Sequence, residues 1–127
     1  MGIGSPPTAT WPSSGRVDLH THSTASDGSL SPDELVLTAA TQGVAALSLT
    51  DHDTLAGLAA AARTASAVGV RFVPGVELSC EHADPESRRQ VEVLGYFVHP
   101  SDPVLAKHVD AMCASRQVRA RKMVDRL

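Results

Sequence analysis

The stretch "DLHTHSTASDG", residues 18–28, contains three side chains suited to chemistry directly after a short β-rich run. His20 and His22 are two residues apart, and Asp27 follows five residues later among small hydroxylated residues. Side chains alternate along a strand, so both imidazoles at the exit of this strand point the same way. Small hydroxylated residues pack a core poorly, and the stretch therefore predicts a site at a strand end.

Working outward, two more strand-like runs bring similar side chains. Asp51 and His52 follow "VAALSLT", residues 44–50, and Glu77 lies in "VRFVPGVELSC", residues 70–80. Helical segments separate these runs, which predicts βα units and a mostly parallel sheet. The carboxyl ends of parallel strands share one face, so the side chains are expected to converge there.

Capping signals define the expected elements. Ser31, Pro32 and Glu34 predict the start of a helix that ends near Gln42, with Gly43 after it. A second helix is expected within residues 53–69, with Asp53 or Thr54 as its cap, and the third strand is expected to be interrupted at Pro74-Gly75. Residues 90–98 alternate as a fourth strand, and Asp102-Pro103 begins a last long helix.

The composition is that of one soluble domain or part of one. The chain has 127 residues, 43% hydrophobic and 20% charged, with a formal net charge of −3. This charge argues against broad adhesion to nucleic acid, and no apolar run approaches the ~20 residues that span a bilayer. Two cysteines are too few for a disulfide framework, so a reducing cytoplasm is expected. Residues 1–15 are rich in turn formers and are interpreted as a disordered leader before a domain at 16–127.

The converging donors predict a metal centre. Imidazole and carboxylate are ligands for Zn, Mn or Fe(II), and the set His20, His22, Asp27, His52 and Glu77 exceeds what one tetrahedral ion needs. Burying an unpaired Glu77 carboxylate in an apolar run would cost several kcal/mol. A carboxylate can also bridge two ions, and paired ions ~3.5–4 Å apart suit phosphoester hydrolysis. Asp51 and Asp53 are interpreted more simply, as turn formers or a helix cap.

Three ordered motifs, "DLHTHSTASDGSLSPDEL", "LTDHDT" and "PGVELS", closely resemble those of the PHP superfamily, named for polymerase and histidinol phosphatase. The likeness runs from about Arg16 to the last residue and is strongest to small bacterial metal-dependent phosphoesterases. It implies an α/β fold, a distorted β/α barrel, with two or three Mn, Zn or Fe ions. By this resemblance His20 and His22 bind a first metal, Asp27 and His52 serve a second, and Glu77 bridges.

Two departures qualify the resemblance. Many similar proteins carry a histidine where this chain has Glu92, so Glu92, or His82 in the preceding loop, is expected to substitute as a ligand. A β/α barrel also needs ~200 or more residues. The chain is therefore interpreted as about the first half of the barrel, with three to four strands, an incomplete metal shell and slow turnover, either as a fragment or as a shortened paralogue.

One basic stretch, residues 116–126, lies near the end of the chain. A solvated helix face is its simplest interpretation. Similar phosphoesterases have a helical insertion here that overhangs the metal centre, and a guanidinium fork suits phosphate. Arg116 and Arg119 are therefore candidates for binding substrate phosphate.

The leading hypothesis is a metal-dependent phosphoesterase acting on nucleotides or short oligonucleotides, with no membrane association and no stable nucleic-acid complex. One alternative is a noncatalytic metal-binding or regulatory module. Another is a phosphatase for a metabolite such as histidinol phosphate. Metal-stimulated turnover separates the module from the enzymes, and a substrate panel separates the two enzymes.

Overall fold

A computed structural model describes residues 14–81, 86 and 90–126. The elements in chain order are β1 (Arg16–Thr21), α1 (Pro32–Thr41), β2 (Val44–Leu49), α2 (Leu58–Val68), β3 (Arg71–Glu81), β4 (Gln90–Tyr96) and α3 (Pro103–Val124). Most of the predicted leader lies outside the described residues, and so does His82. No helix within the described ranges is long and apolar enough to cross a membrane.

The four strands form one sheet in the order β1-β2-β3-β4. The pairs β1–β2 and β2–β3 are parallel, as the alternation of strands and helices predicts. The β3–β4 pair is antiparallel, and the eight residues between these strands are fewer than the dozen or so that a parallel crossover connection needs. The sheet is therefore parallel on the side that carries residues 20, 52 and 77, and mixed as a whole.

The first helix begins and ends where its capping residues predict. The Ser31 side chain accepts a hydrogen bond from the Glu34 backbone, and the Glu34 carboxylate accepts one from the Ser31 backbone. Hydrogen bonding to the Glu34 carboxylate by the Ser31 backbone amide first, and by the Ser31 side chain second, holds the pKa of Glu34 below its usual value. Gly43, with φ of 75°, lets the chain turn into β2.

The start of α2 and the course of β3 differ from the prediction. The second helix begins at Leu58 with Gly57 as its cap, and neither Asp53 nor Thr54 caps it. Asp53 has φ of 50°, which takes residue 53 out of helical geometry. The third strand runs without a break through Pro74-Gly75, because Pro74 is the last residue paired with β2 and Gly75 the first paired with β4.

The core lies between the helix pair α1 and α2 and one face of β2 and β3. Its buried members are small or branched aliphatic side chains, which allow helices and sheet to approach closely. They are Val36, Ala39, Leu47, Leu49, Leu58, Ala61, Ala65 and Val70. This packing fixes the position of β2, and with it the segment that follows β2 and carries His52.

Candidate metal centre

Glu77 lies at the centre of the cluster. Its side chain is only 4% exposed, and its Oε2 atom lies 3.0 Å from Nε2 of His20 and 3.2 Å from Nε2 of His22. Nδ1 of His52 is 3.5 Å from the same oxygen. One buried carboxylate thus faces three imidazoles that come from two other segments of the chain.

Backbone pairing places His52 beside Glu77. The Glu77 amide donates to the carbonyl of Asp51, and the Asp53 amide donates to the carbonyl of Glu77. Together these bonds form a parallel bridge between residues 52 and 77, which extends the β2–β3 pairing beyond Leu49. The rings of His22 and His52 stack with their centroids 4.6 Å apart.

Asp27 closes the cluster from the loop after β1. Its Oδ1 atom lies 3.4 Å from Nδ1 of His22, and its Oδ2 atom lies 3.4 Å from Nε2 of His52. The Asp27 side chain is 67% exposed, so the cluster opens to solvent on this side. Gly28 is required next to it, because a Cβ there would lie 2.2 Å from the carbonyl oxygen of His22.

Glu92, on β4, reaches the opposite side of His52. Its Oε1 atom lies 3.8 Å from Nδ1 of His52, and its side chain is half exposed. Strand β4 brings it there because residue 92 pairs with Ser79, two positions along β3 from Glu77. The residue at the position of the expected histidine therefore joins the same cluster through oxygen.

The donors fall into three overlapping groups, each able to surround one ion. Within each group the ligand atoms lie within 4.8 Å of one another. The first group is His20, His22 and Glu77; the second is His22, Asp27 and His52; the third is His52, Glu77 and Glu92. All six residues predicted as ligands from the sequence thus lie together in the fold.

The chemistry of this donor set fits divalent metal ions. Nδ1 of His22 and Nδ1 of His52 are buried and have no hydrogen-bond partner among the residues that the structure describes. Buried polar atoms without partners are unfavourable, and a cation between imidazoles and carboxylates would satisfy them. The arrangement is a candidate metal centre at one edge of the sheet.

Two residues that the sequence presents as turn formers support this centre. Asp51 is buried and accepts three hydrogen bonds of 2.7 Å, from the amide and hydroxyl of Ser23 and from the hydroxyl of Ser26. Asp53 is also buried, and its Oδ1 accepts a hydrogen bond from the Ser79 amide. The "TDHD" pattern holds both acids, but nothing in it reveals their burial.

The basic helix α3 lies against the same region. Nη2 of Arg116 lies 2.7 Å from Oδ2 of Asp53 and also donates to the hydroxyl of Ser79. Arg116 lines a cavity of about 450 Å³ together with Asp27, His52 and Glu92. Arg119 lines a neighbouring cavity of about 340 Å³, which Glu92 and Arg116 also border.

Comparison with known proteins defines the class to which this fold and site belong. The PHP domain family matches residues 18–119, and the chain belongs to that family. The chain is 41% identical to the 3',5'-nucleoside bisphosphate phosphatase of Chromobacterium violaceum over 84% of its own length and 36% of the relative's. It is 40% identical to a 5'-3' exoribonuclease of Haemophilus influenzae over 88% of its own length and 39% of the relative's.

A solved structure from Bifidobacterium adolescentis, classed as a metal-dependent phosphoesterase, superimposes with a TM-score of 0.80 at 29% identity. The match covers 91% of this chain and 39% of the other. The sheet and its helices correspond to part of a PHP-type β/α barrel, as the sequence predicts. The chain spans roughly two fifths of the length of the curated relatives it matches.

Proposed function

We propose that this chain carries the metal centre of a phosphoesterase that hydrolyses phosphoester bonds of nucleotides or short oligonucleotides. The observation that supports this most is the buried Glu77 carboxylate, which three imidazoles approach within 3.5 Å. The relatives' activities, on a nucleoside bisphosphate and on RNA, indicate the same substrate class. Both kinds of substrate contain phosphate esters of nucleosides.

The proposed ligands are His20, His22, Asp27, His52 and Glu77, with Glu92 as a sixth. They would hold two or three divalent ions of Mn, Zn or Fe. Bound divalent cations would supply positive charge that stabilises the negative charge building up on the phosphoryl oxygens. The protein's own contribution is to fix the imidazoles against Glu77 and to leave the Asp27 side of the cluster open to substrate.

Arg116 and Arg119 are the proposed phosphate-binding residues. A guanidinium has five N–H donors in a planar fork that matches phosphate geometry. Arg116 shares its cavity with Asp27 and His52, so a phosphate that reaches these two residues would also meet Arg116. Its bonds to Asp53 and Ser79 both use Nη2, and they fix the orientation of the fork.

The test is hydrolysis of p-nitrophenyl phosphate and of a nucleoside 3',5'-bisphosphate with added Mn²⁺. The substitution His22→Ala removes a proposed ligand and is expected to lower turnover by at least ~100-fold. Changes to the outer shell of a metal site alone lower metal affinity or activity by about 10–100-fold. The matched control is His99→Ala, which removes an exposed histidine outside the cluster.

Turnover that survives both His22→Ala and a chelator would contradict the proposal. Tight binding of Mn²⁺ by the wild type without turnover would favour a noncatalytic metal-binding module instead. Turnover of histidinol phosphate but of neither nucleotide nor oligonucleotide would favour the metabolite phosphatase.

A further inference from the structure

The three donor groups differ in their chemistry. The first, His20, His22 and Glu77, offers two nitrogens and one oxygen. The third, His52, Glu77 and Glu92, offers one nitrogen and two carboxylates. Of the three groups found among the described residues, the third is the richest in oxygen, and Glu92 is what makes it so.

The first and third groups are compatible with simultaneous occupation. They share only Glu77, whose Oε2 atom lies within 3.5 Å of the imidazoles of both groups, and an ionised carboxylate has about four lone-pair sites, enough to contact two ions. A neutral imidazole, by contrast, has a single acceptor nitrogen and ligates one ion at a time. Two ions can therefore occupy the first and third groups together without sharing an imidazole.

Glu92 is well placed for such a role. Its Oε1 atom and Nδ1 of His52 are 3.8 Å apart, which suits two ligands on one ion with bonds of ~2.0–2.2 Å. Half exposure of its side chain leaves room for water to complete the shell of a hard cation. Nδ1 of His52 is one of the buried atoms without a hydrogen-bond partner among the described residues, and an ion at this position would give it a partner.

We propose that the two ion positions have different metal preferences and that Glu92 shifts the relative affinity of its position toward manganese or magnesium and away from zinc, compared with an imidazole at residue 92. Imidazole-rich sites suit zinc and iron, whereas carboxylate and water suit magnesium and manganese. The position at His20 and His22 would then accept zinc or iron. This inference rests on the proposed metal centre and extends it to the identity of the ions.

The experiment is calorimetric titration of the metal-free chain with Mn²⁺ and separately with Zn²⁺, for the wild type and for Glu92→His. Replacing the carboxylate by imidazole is expected to shift the relative affinity toward Zn²⁺ by about tenfold or more at one of two sites, equivalent to ~1.4 kcal/mol. The control is Asp110→His on the exposed face of α3, which makes the same change of charge away from the cluster.

A second variant, Glu92→Gln, keeps the size of the side chain and removes its charge. It is expected to weaken Mn²⁺ at the same site while leaving the other site unchanged. Circular dichroism would be used to check that each variant is folded. The inference would be overturned if Glu92→His changed the ratio of Mn²⁺ to Zn²⁺ affinity no more than Asp110→His does. That result would leave the proposed metal centre unaffected. Failure of the wild type to bind either ion would overturn both.

Discussion

At the scale of single residues, the donor cluster depends on a buried carboxylate that lies beneath it. Asp51 lies under the loop that follows β1 and binds Ser23 and Ser26 through three hydrogen bonds. That loop carries His22 and Asp27 at its two ends. Asp51 belongs to none of the three donor groups, and its role is to position two of the proposed ligands.

Replacing Asp51 by alanine is expected to lower the free energy of unfolding by about 2–4 kcal/mol, because it leaves the buried amide and hydroxyl of Ser23 without an acceptor. The measurement is urea denaturation of wild type and Asp51→Ala. The exposed Asp110→Ala is the control and is expected to stay within ~0.5 kcal/mol. A change at Asp51 no larger than at Asp110 would argue against its positioning role.

Gly75 is a second residue whose identity the packing dictates. A Cβ at this position would lie 2.6 Å from Oγ of Ser48 and 2.8 Å from Cγ2 of Thr50. Both neighbours are buried on β2 and the segment after it, so neither has room to yield. Only glycine lets β3 pass β2 closely enough, two residues before Glu77.

The substitution Gly75→Ala is therefore expected to destabilise the fold by about 1–3 kcal/mol through overpacking. Gly95→Ala is a matched control in the adjacent strand, since a Cβ there meets nothing closer than 3.5 Å. Thermal melts of the two variants give the comparison. Equal melting temperatures would show that the sheet can relax around residue 75.

The sequence indicates the proposed ligands but not the residues that support them, and the reason is physical. His20, His22, His52 and Glu77 stand out because side chains suited to metal binding recur at three successive strands whose carboxyl ends are expected to share one face. Asp51 and Asp53 resemble ordinary turn residues, and their partners come from 25 or more positions away in the chain. Burial by distant segments leaves no local signal.

At the scale of elements, α3 is held to the sheet by an ion pair. Arg116 lies against Asp53, whose side chain is 1% exposed, and against Ser79 on β3. Asp53 adopts a positive φ, which costs backbone energy, and its contacts with Arg116 and Ser79 offset this cost. The ion pair thus links the last helix to the segment that follows His52.

Arg116→Ala is expected to destabilise the chain by about 1–2 kcal/mol, because the buried Asp53 carboxylate loses its cation. Half exposure of Arg116 keeps the figure below that of a fully buried pair. Hydrogen exchange in α3 should accelerate as well. Lys107→Ala removes an exposed cation from the same helix as a control, and exchange in α3 that is unchanged in Arg116→Ala would contradict the tether.

The elements were predictable where their signals are local. Ser31, Pro32 and Glu34 fix the start of α1, and Asp102 fixes the start of α3, because caps act within one helical turn. The predicted start of α2 was wrong because the Asp53 side chain bonds to Ser79 on β3 and Arg116 on α3 and does not cap α2. The predicted break in β3 at Pro74-Gly75 was also wrong. Pro74 lies where β3 stops pairing with β2 and starts pairing with β4, and this position depends on how the whole sheet assembles.

At the scale of the whole molecule, parallel topology assembles the site. Residues 20, 52 and 77 are far apart in the chain and meet because β1, β2 and β3 run in the same direction. The sequence predicts this convergence from the alternation of strands and helices. It does not predict that β4 returns antiparallel, and that return is what brings Glu92 to His52.

Every function proposed for this chain requires that Glu77 and the histidines around it bind divalent cations. The most direct test is anomalous diffraction at the zinc edge from crystals of the wild-type chain equilibrated with Zn²⁺. We expect a peak ~2.0–2.2 Å from Nε2 of His20, Nε2 of His22 and a carboxylate oxygen of Glu77. Zinc found only elsewhere on the chain, with the His20–His22–Glu77 position empty at saturating Zn²⁺, would contradict it.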